Sequence, residues 1–488
     1  MKFSIPKEVQ YVVATIQGNG FDAYLVGGCT RDLLIGRVPK DWDITTDAGP
    51  EEITSFFPDQ SFYNNDFGTV GVTLETEEES LKVIEVTPYR SEEGYSDSRR
   101  PDKVSFGVSL EDDLSRRDFT VNAIAYDPSK GQFVDLYKGQ EDIKAKVLKT
   151  VGDADERFNE DALRMMRAIR LSAELSFALD GETAAAISKN AAKLSHISKE
   201  RIRDEFIRIL KSKEPMTAII MSQKLGLIPY IAPDLERGIG IEQNQAHKYD
   251  VFEHLIRTMQ HGADKDWEWE IRLAGLFHDV SKPETRRFDK EKGDYTFHGH
   301  EVVGARVTKK ALTDLKFPKK TIERVTKLVR WHMFFSDPDE ITLSAVRRMI
   351  RNVGEENIWD LLNLRICDRV GTGRPKEQPF RFRKYKSYVE EALRDPISVK
   401  MLKVDGQRLM ELLQMKPGPK IGYLLHALFE EVLEDPSLNT AELLEKRAIE
   451  LNKMEMMELK KLAEAGKRRI QEEEEQAIKD IRSKHHVN

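Results

Sequence analysis

Two aspartates separated by one residue, Asp41-Trp42-Asp43, are the first groups along the chain able to do chemistry together. On an extended strand alternate side chains share a side, so both carboxylates face one way and Trp42 the other. Two parallel carboxylates can hold a pair of Mg²⁺ ions, which activate an attacking hydroxyl and steady the leaving oxygen of an in-line phosphoryl displacement. Just upstream, Tyr24-Leu25-Val26-Gly27-Gly28-Cys29-Thr30-Arg31 reads as strand, tight turn and helix. Gly27 and Gly28 let a phosphate approach the backbone, the following helix start offers unpaired N–H groups, and Arg31 adds a cation. Alone, either element reads as a solvated acidic strand or an ordinary turn; their ordered combination is far more specific.

The run LVGGCTRDLLIGRVPKDWDI resembles the signature of the tRNA nucleotidyltransferase and bacterial poly(A) polymerase family, within the polymerase-β-like nucleotidyltransferases. Two further segments resemble motifs of that family in the same order. Arg116-Arg117-Asp118-Phe119-Thr120-Val121-Asn122-Ala123 is similar to the segment that lies beside the nucleotide's sugar and triphosphate. The resemblance implies that Arg117 pairs with phosphate and that Asp118 and Asn122 bond ribose hydroxyls. Between the two motifs, Tyr89 to Pro101 is polar and carries Gly and Pro; it resembles the flexible loop of members able to add the terminal A. Members that add only two C residues usually lack it. Glu85, on the preceding strand, is either a third carboxylate facing the aspartates or a surface glutamate.

Glu160-Asp161-Ala162-Leu163-Arg164 resembles the family's base-selecting motif. Asp161 accepts and Arg164 donates, and three residues apart they are expected as neighbours on a helix. The amino group of cytosine or adenine can donate to Asp161 while Arg164 donates to the ring acceptor beside it. Uracil and guanine would set a carbonyl oxygen against the carboxylate, losing roughly 1–3 kcal/mol for the unpaired polar group. Arg167 and Arg170 step round the same helix and are expected to reach the triphosphate, although a basic helix face fits these two better than it fits the Asp161–Arg164 pair. Glu200 to Phe206 resembles a structural neck helix.

Farther on, His278-Asp279 ends an apolar helix, with His254 upstream and His300, His332 and Asp368 downstream. Imidazoles and carboxylates gathered this way suit a divalent transition metal with water free to attack a phosphate. The pattern resembles the HD phosphohydrolases, with His254, His278, Asp279 and Asp368 as ligands of a candidate second metal site; His300 and His332 match the extra positions. A structural helical body with satisfied histidines is the competing reading. Hydrolysis there would act on phosphate monoesters or cyclic phosphodiesters, including tRNA 3′ ends.

These groups need elements to hold them. Strand-like pieces at Ala23–Val26, Asp43–Thr45, Thr69–Leu74 and Val83–Thr87 alternate with helical stretches up to about residue 140, and beyond that apolar residues recur at three- and four-residue spacing. The expected fold is an α/β (α+β) nucleotidyltransferase head of polymerase-β type, followed by a mostly α-helical neck, HD body and tail. The corresponding boundaries are 1–140 for the head, 141–225 for the neck, 226–395 for the HD domain and 396–450 for a tRNA-binding tail. Residues 451–488 hold nine Lys or Arg and eight Asp or Glu, which suggests a charged, solvated helix with a frayed end. Arg381, Arg383, Lys384 and Lys386, interleaved with Phe380, Phe382 and Tyr385, suit a phosphate-contacting patch or a solvated helix.

The chain has 488 residues and a formal net charge of −7, which excludes a uniformly basic coat but not a local basic face. Two cysteines, Cys29 and Cys367, cannot build a disulfide framework, and no run of apolar residues is long enough to span a membrane. With no apolar leader-like run at the N-terminus, a cytoplasmic protein is expected. The activity implied is addition of CCA to tRNA from CTP and ATP with Mg²⁺, with the tRNA held at its 3′ end and elbow. Addition of A alone, poly(A) synthesis, or an HD hydrolase with a vestigial head remain alternatives.

Overall fold

The computed structural model describes residues 3–63, 68–93, 103–244, 248–334 and 341–464. The chain divides into two compact units, Met1–Ile231 and Ala232–Asn488.

The first unit opens with a mixed seven-stranded sheet. Its strands are β1 (Tyr24–Val26), β2 (Asp43–Thr46), β3 (Ser61–Tyr63), β4 (Val70–Thr73), β5 (Val83–Pro88), β8 (Ala125–Asp127) and β9 (Gln132–Val134). They run in the order β3-β4-β5-β2-β1-β8-β9, and only β2 and β5 pair in parallel. Leu25 and Val26 of the central β1 are both buried, whereas β5 alternates exposed Val83 and Glu85 with buried Ile84 and Val86, as a strand with one solvated face must. Helices α1 (Lys7–Gly18) and α3 (Pro50–Phe56) cover the apolar side. Val9, Val12, Val13 and Ile16 of α1 recur at helical spacing and join Leu25, Ile44, Ile53 and Ile84 in one core. Helix α2 (Gly28–Leu34) starts at the glycine turn, and α4 (Leu110–Ser115) is opened by a Ser109–Asp112 capping box. A separate ribbon, β6 (Arg90–Glu93) against β7 (Lys103–Phe106), carries the two ends of the polar loop. Residues 94–102 of that loop lie outside the described residues.

Helix α5 (Gly139–Ala145) closes the head. Then come α6 (Ala154–Glu160), α7 (Leu163–Leu175), α8 (Gly181–Asn190), α9 (Lys199–Lys211) and α10 (Pro215–Lys224), the helical neck. The expected continuous helix through Asp161 and Arg164 does not form. Asp161 is extended (φ −145°, ψ 105°) between α6 and α7, and its Oδ1 accepts from Leu163 N at 3.0 Å. A short carboxylate that bonds nearby backbone N–H groups favours a helix cap over a helix interior, so the motif straddles a helix break.

The second unit is almost wholly helical. Its functional part holds α11 (Val251–Asp264), α12 (Trp269–Phe277), α13 (His300–Asp314), α14 (Lys319–Trp331), α15 (Leu343–Val353), α16 (Ile358–Gly371) and α17 (Phe380–Ala392). In α17, Phe382 and Tyr385 are buried, with Tyr385 stacked on Phe334 at 5.0 Å between ring centroids; only Phe380 of the three aromatics is exposed. The basic side chains of this helix are therefore not interleaved with a row of exposed rings. A last core gathers Leu409, Leu424, Leu428 and Val432 with Leu451 and Leu459. The stretch from 451 thus begins as packed structure and breaks between helices Ala441–Asn452 and Met456–Ala463; residues 465–488 lie outside the described residues. Among the described residues, no helix is long and apolar enough to cross a membrane.

Candidate active site and metal centre

The start of β2, the middle strand of the sheet, carries the acidic group. Strand β2 begins only at Asp43, so the expected strand through Asp41 starts two residues late: Asp41 lies exposed in a bend, Trp42 is buried and Asp43 is half-buried. Parallel pairing of β2 and β5 sets Asp43 in register with Glu85, so both side chains stand on one face. Burial pushes Asp43 up to about 6; Arg117 pulls it down, while the charges of Glu85 and Asp41 push it further up. Asp41 and Glu85 are near enough for their charges to act on Asp43, and oxygen donors of this kind suit a hard divalent cation.

Gly27 opens α2 with φ +74°, and a Cβ there would meet Asp43 Oδ2 at 3.3 Å and Arg117 Nη1 at 3.5 Å. The glycine is therefore required twice, for its backbone conformation and for the approach of the other groups. Arg117 Nη2 is fixed on Asp113 Oδ2 at 3.0 Å, and Asp113, fully buried, also takes Arg116. Asp113 was not apparent from the sequence; a carboxylate four residues before an arginine on a capped helix was the available signal.

Arg31, Asn122, Asp118 and Arg167 form one chain of bonds. Arg31 Nη1 donates to Asn122 Oδ1 at 2.8 Å, and Asn122 Nδ2 donates to Asp118 Oδ1 at 3.2 Å. Arg167 Nε and Nη2 both donate to Asp118 Oδ2, at 2.9 and 2.6 Å. Against the cost of burial, Arg167 and Arg164 hold Asp118 down at about 2. The head motif is thereby clamped to the neck motif. Gly28 sits at the Arg31 guanidinium, whose Nη2 would lie 3.6 Å from a Cβ there.

Arg164, Arg167 and Arg170 occupy the partly exposed face of α7 while Met165, Met166, Ala168 and Ile169 are buried. Arg164 pairs with Glu160 and donates to the Arg157 carbonyl at 3.2 Å. Arg170 is held by Glu205 at 2.8 Å and Glu174 at 2.9 Å. Asp161 is paired not with Arg164 but with Arg201 of α9, through Nη2 at 2.6 Å, and Arg201 Nη1 is buried with no hydrogen bond. The neck helix read as structural therefore supplies the ionic partner of Asp161. Forty residues separate Arg201 from Asp161, and no local pattern links them.

In the second unit His278 and His332 cap the C-termini of α12 and α14, and His300 begins α13. The last carbonyls of a helix lack partners, so Nδ1–H of His278 donates to Gly275 O at 2.8 Å and that of His332 to Val329 O at 2.7 Å. His300 Nδ1 does the same to Phe297 O at 2.6 Å. These bonds leave the Nε2 lone pairs turned inward. His254, His278, Asp279 and Asp368 offer ligand atoms within 4.8 Å of one another, and so do Asp279, His300 and His332. Asp279 serves both groups: Oδ2 lies 3.1 Å from His254 Nε2, and Oδ1 lies 3.1 Å from His300 Nε2. Oδ1 is buried without a hydrogen bond, because both it and His300 Nε2 present lone pairs. Nε2 of His254 and His278 face each other at 3.1 Å, and those of His300 and His332 at 3.2 Å. Burial opposes charge on His278, but Asp279 and Asp368 outweigh it and push His278 up to about 10, so a divalent ion would have to displace a proton to reach its Nε2 lone pair. Lys282 Nζ pairs with Asp279 Oδ2 at 2.6 Å, and the imidazoles and carboxylates around it form a donor set that fits two divalent metals sharing Asp279.

Comparison with known proteins agrees with this anatomy. Residues 23–149 match the family model "Poly A polymerase head domain", 176–239 match "Probable RNA and SrmB- binding site of polymerase A", and 251–369 match "HD domain". A CC-adding tRNA nucleotidyltransferase of Thermus thermophilus is 34% identical over 432 residues, covering 85% of this chain and 90% of that one. An A-adding tRNA nucleotidyltransferase of Deinococcus radiodurans is 32% identical over 425 residues, covering 84% and 91%. Among solved structures, the Bacillus stearothermophilus CCA-adding enzyme in complex with CTP is similar with a TM-score of 0.65 and 27% identity, over 92% of this chain and 98% of that one. The fold and its two sites define a nucleotidyltransferase head and neck joined to an HD body. The chain belongs to the tRNA nucleotidyltransferase and bacterial poly(A) polymerase family.

Proposed function

We propose that the protein extends the 3′ end of tRNA without a template, adding two CMP from CTP and then AMP from ATP. The observation that carries the reading is the grouping of Asp41, Asp43, Glu85 and Arg117 about the start of the central strand β2, in the same compact unit as Asp161, Arg164 and Arg201. The relatives, a CC-adding, an A-adding and a CCA-adding enzyme, together span the same task. The 3′-hydroxyl oxygen bonds to the α-phosphorus of the incoming nucleotide. The bond to the bridging oxygen breaks, pyrophosphate leaves with the electron pair, and the hydroxyl proton is lost. Asp41 and Asp43 would hold Mg²⁺, which supplies positive charge at the attacking and leaving oxygens. Gly27 and Gly28 admit the triphosphate, and Arg31, Arg117, Arg167 and Arg170 balance its charge. Asp118 and Asn122 stand at the ribose. Asp161 accepts from the amino group of C or A, Arg164 donates to the ring, and Arg201 keeps the Asp161 carboxylate aimed.

Primer extension tests this on tRNA ending at the discriminator base or at CC, with CTP, ATP or both. Growth by three nucleotides on the shorter tRNA is expected. Growth only on the CC-ended tRNA would make it an A-adding enzyme, and long A tails would make it a poly(A) polymerase.

A second reading, phosphoester hydrolysis in the HD body, is favoured by the convergence of four imidazoles on Asp279 and Asp368. His254, His278, Asp279 and Asp368 would hold one divalent transition metal and Asp279, His300 and His332 another, supplying a water of lowered pKa and charge for the phosphate. Protein loaded with Mn²⁺ or Ni²⁺ should hydrolyse p-nitrophenyl phosphate, and Asp279→Asn should abolish that activity.

A further inference from the structure

The metal cluster opens into a cavity of about 1360 Å³ in the second unit, whose wall holds Arg365, Arg369, Arg374 and Arg381 beside Phe380 and Tyr295. Small-ligand sites run to roughly 300–1,000 Å³, so this one exceeds what a single phosphate monoester needs. Arg365 and Arg369 lie one turn apart on α16, and Arg365 Nη1 donates to Asp368 Oδ2 at 2.6 Å, which ties the basic wall to a metal ligand. Arg369 Nε donates to Lys376 O at 2.7 Å, holding the loop that follows α16 against that helix. Arg374, on that loop, is exposed and close enough for its charge to act on Arg369, as does that of Arg365. Glu377 lies in the same wall but is taken by Lys265 at 2.8 Å. Asp368 answers Arg365, whereas among the described residues no ion pair answers Arg369 or Arg374, and guanidinium groups match phosphate oxygens in pairs. Phe380 is 66% exposed although it lines the cavity, which is how a ring that stacks on a base is presented.

We propose that Arg369 and Arg374 form a second phosphate subsite and Phe380 a base platform, so that the HD cavity takes a nucleotide chain ending in a phosphate rather than a mononucleotide. The inference rests on the phosphohydrolase reading of the body. The terminal phosphate would lie at the metal cluster, the next phosphate between Arg369 and Arg374, and the base between them against Phe380. In the reaction a water oxygen bonds to the terminal phosphorus, the ester P–O bond breaks, and the ester oxygen leaves as a hydroxyl after taking a proton.

The test uses the full chain loaded with Mn²⁺ and compares a nucleoside 3′-phosphate with a dinucleotide carrying a 3′-terminal phosphate. Binding of each is also measured by calorimetry, to the wild type and to Arg374→Gln and Phe380→Ala. At least tenfold preference for the dinucleotide is expected in both kcat/KM and Kd, shrinking toward one in each variant. Nucleotide addition by the head should be unchanged in both variants. Equal binding of the two ligands by the wild type would overturn the subsite, as would a preference that survives both substitutions. Loss of tRNA extension in parallel would instead assign the arginines to gripping tRNA and also overturn it. Preferential binding of the dinucleotide without any hydrolysis, of it or of p-nitrophenyl phosphate, would support the subsite while refuting the phosphohydrolase reading.

Discussion

Asp43→Asn should abolish nucleotide addition and yet make the protein more stable at neutral pH. Asp43 is raised from 3.8 to about 6, mainly by burial and further by Glu85 and Asp41, with Arg117 acting the other way. A carboxyl whose folded pKa lies above its unfolded value favours folding below the unfolded value, near pH 4, and loses that contribution as pH rises through about 6. About two units correspond to about 3 kcal/mol, and screening on the solvent side of the carboxylate reduces this toward about 1 kcal/mol. An amide of the same shape carries no charge and escapes the penalty. For a unit of this size each kcal/mol moves the midpoint by about 2–4 °C, so the variant should melt roughly 2–12 °C higher above about pH 7. Thermal unfolding followed by circular dichroism in EDTA from about pH 4 to 8 reads the effect. The gain should fade toward about pH 4, and added Mg²⁺ should stabilise the wild type more than the variant. A variant that melts at or below the wild-type temperature near neutral pH, or a gain that persists unchanged at about pH 4, would refute the reasoning.

Asp161→Ala should leave the fold intact and let UTP and GTP compete in single-nucleotide addition, with Arg201→Gln moving selectivity in the same direction; unchanged discrimination would sink the base-selecting role. Asp118 is held at about 2, against burial, by Arg167 and Arg164, so its contribution is present above about pH 4 and lost as pH falls through about 2. Asp118→Ala should therefore cost about 2–3 kcal/mol in urea unfolding near pH 7, since it also strands Arg167. In the HD body, metal analysis after dialysis should find two divalent ions per chain in the wild type and one in His300→Ala/His332→Ala, while Asp279→Asn should weaken both; one ion in the wild type would rule out the shared-carboxylate arrangement.

Much of the site was legible because its chemistry is local. The Gly27-Gly28 turn follows from backbone geometry over a few residues, and the structure keeps it, whereas the strand expected through Asp41 begins only at Asp43. His278-Asp279 at the end of an apolar helix was equally readable, since the helix end itself supplies the carbonyl that orients the imidazole. The Asp161–Arg164 spacing misled because a three-residue separation implies one helix only if the helix continues, and Asp161 ends one and caps the next. Likewise Phe382 and Tyr385 interleave a basic run that suits a phosphate-contacting patch, but helical spacing turns them into the core.

By itself the sequence determined which residue types are present, the order of the motifs, and each turn, strand alternation and helix end, all set by interactions between near neighbours. Only the tertiary structure decided which charges meet. Strand register places Glu85 beside Asp43. Helix packing brings Arg201 to Asp161 and Arg167 to Asp118, and gathers His254, His300, His332 and Asp368 around Asp279. Those pairings span tens of residues, and their energies depend on burial and distance, which exist only once the chain is packed.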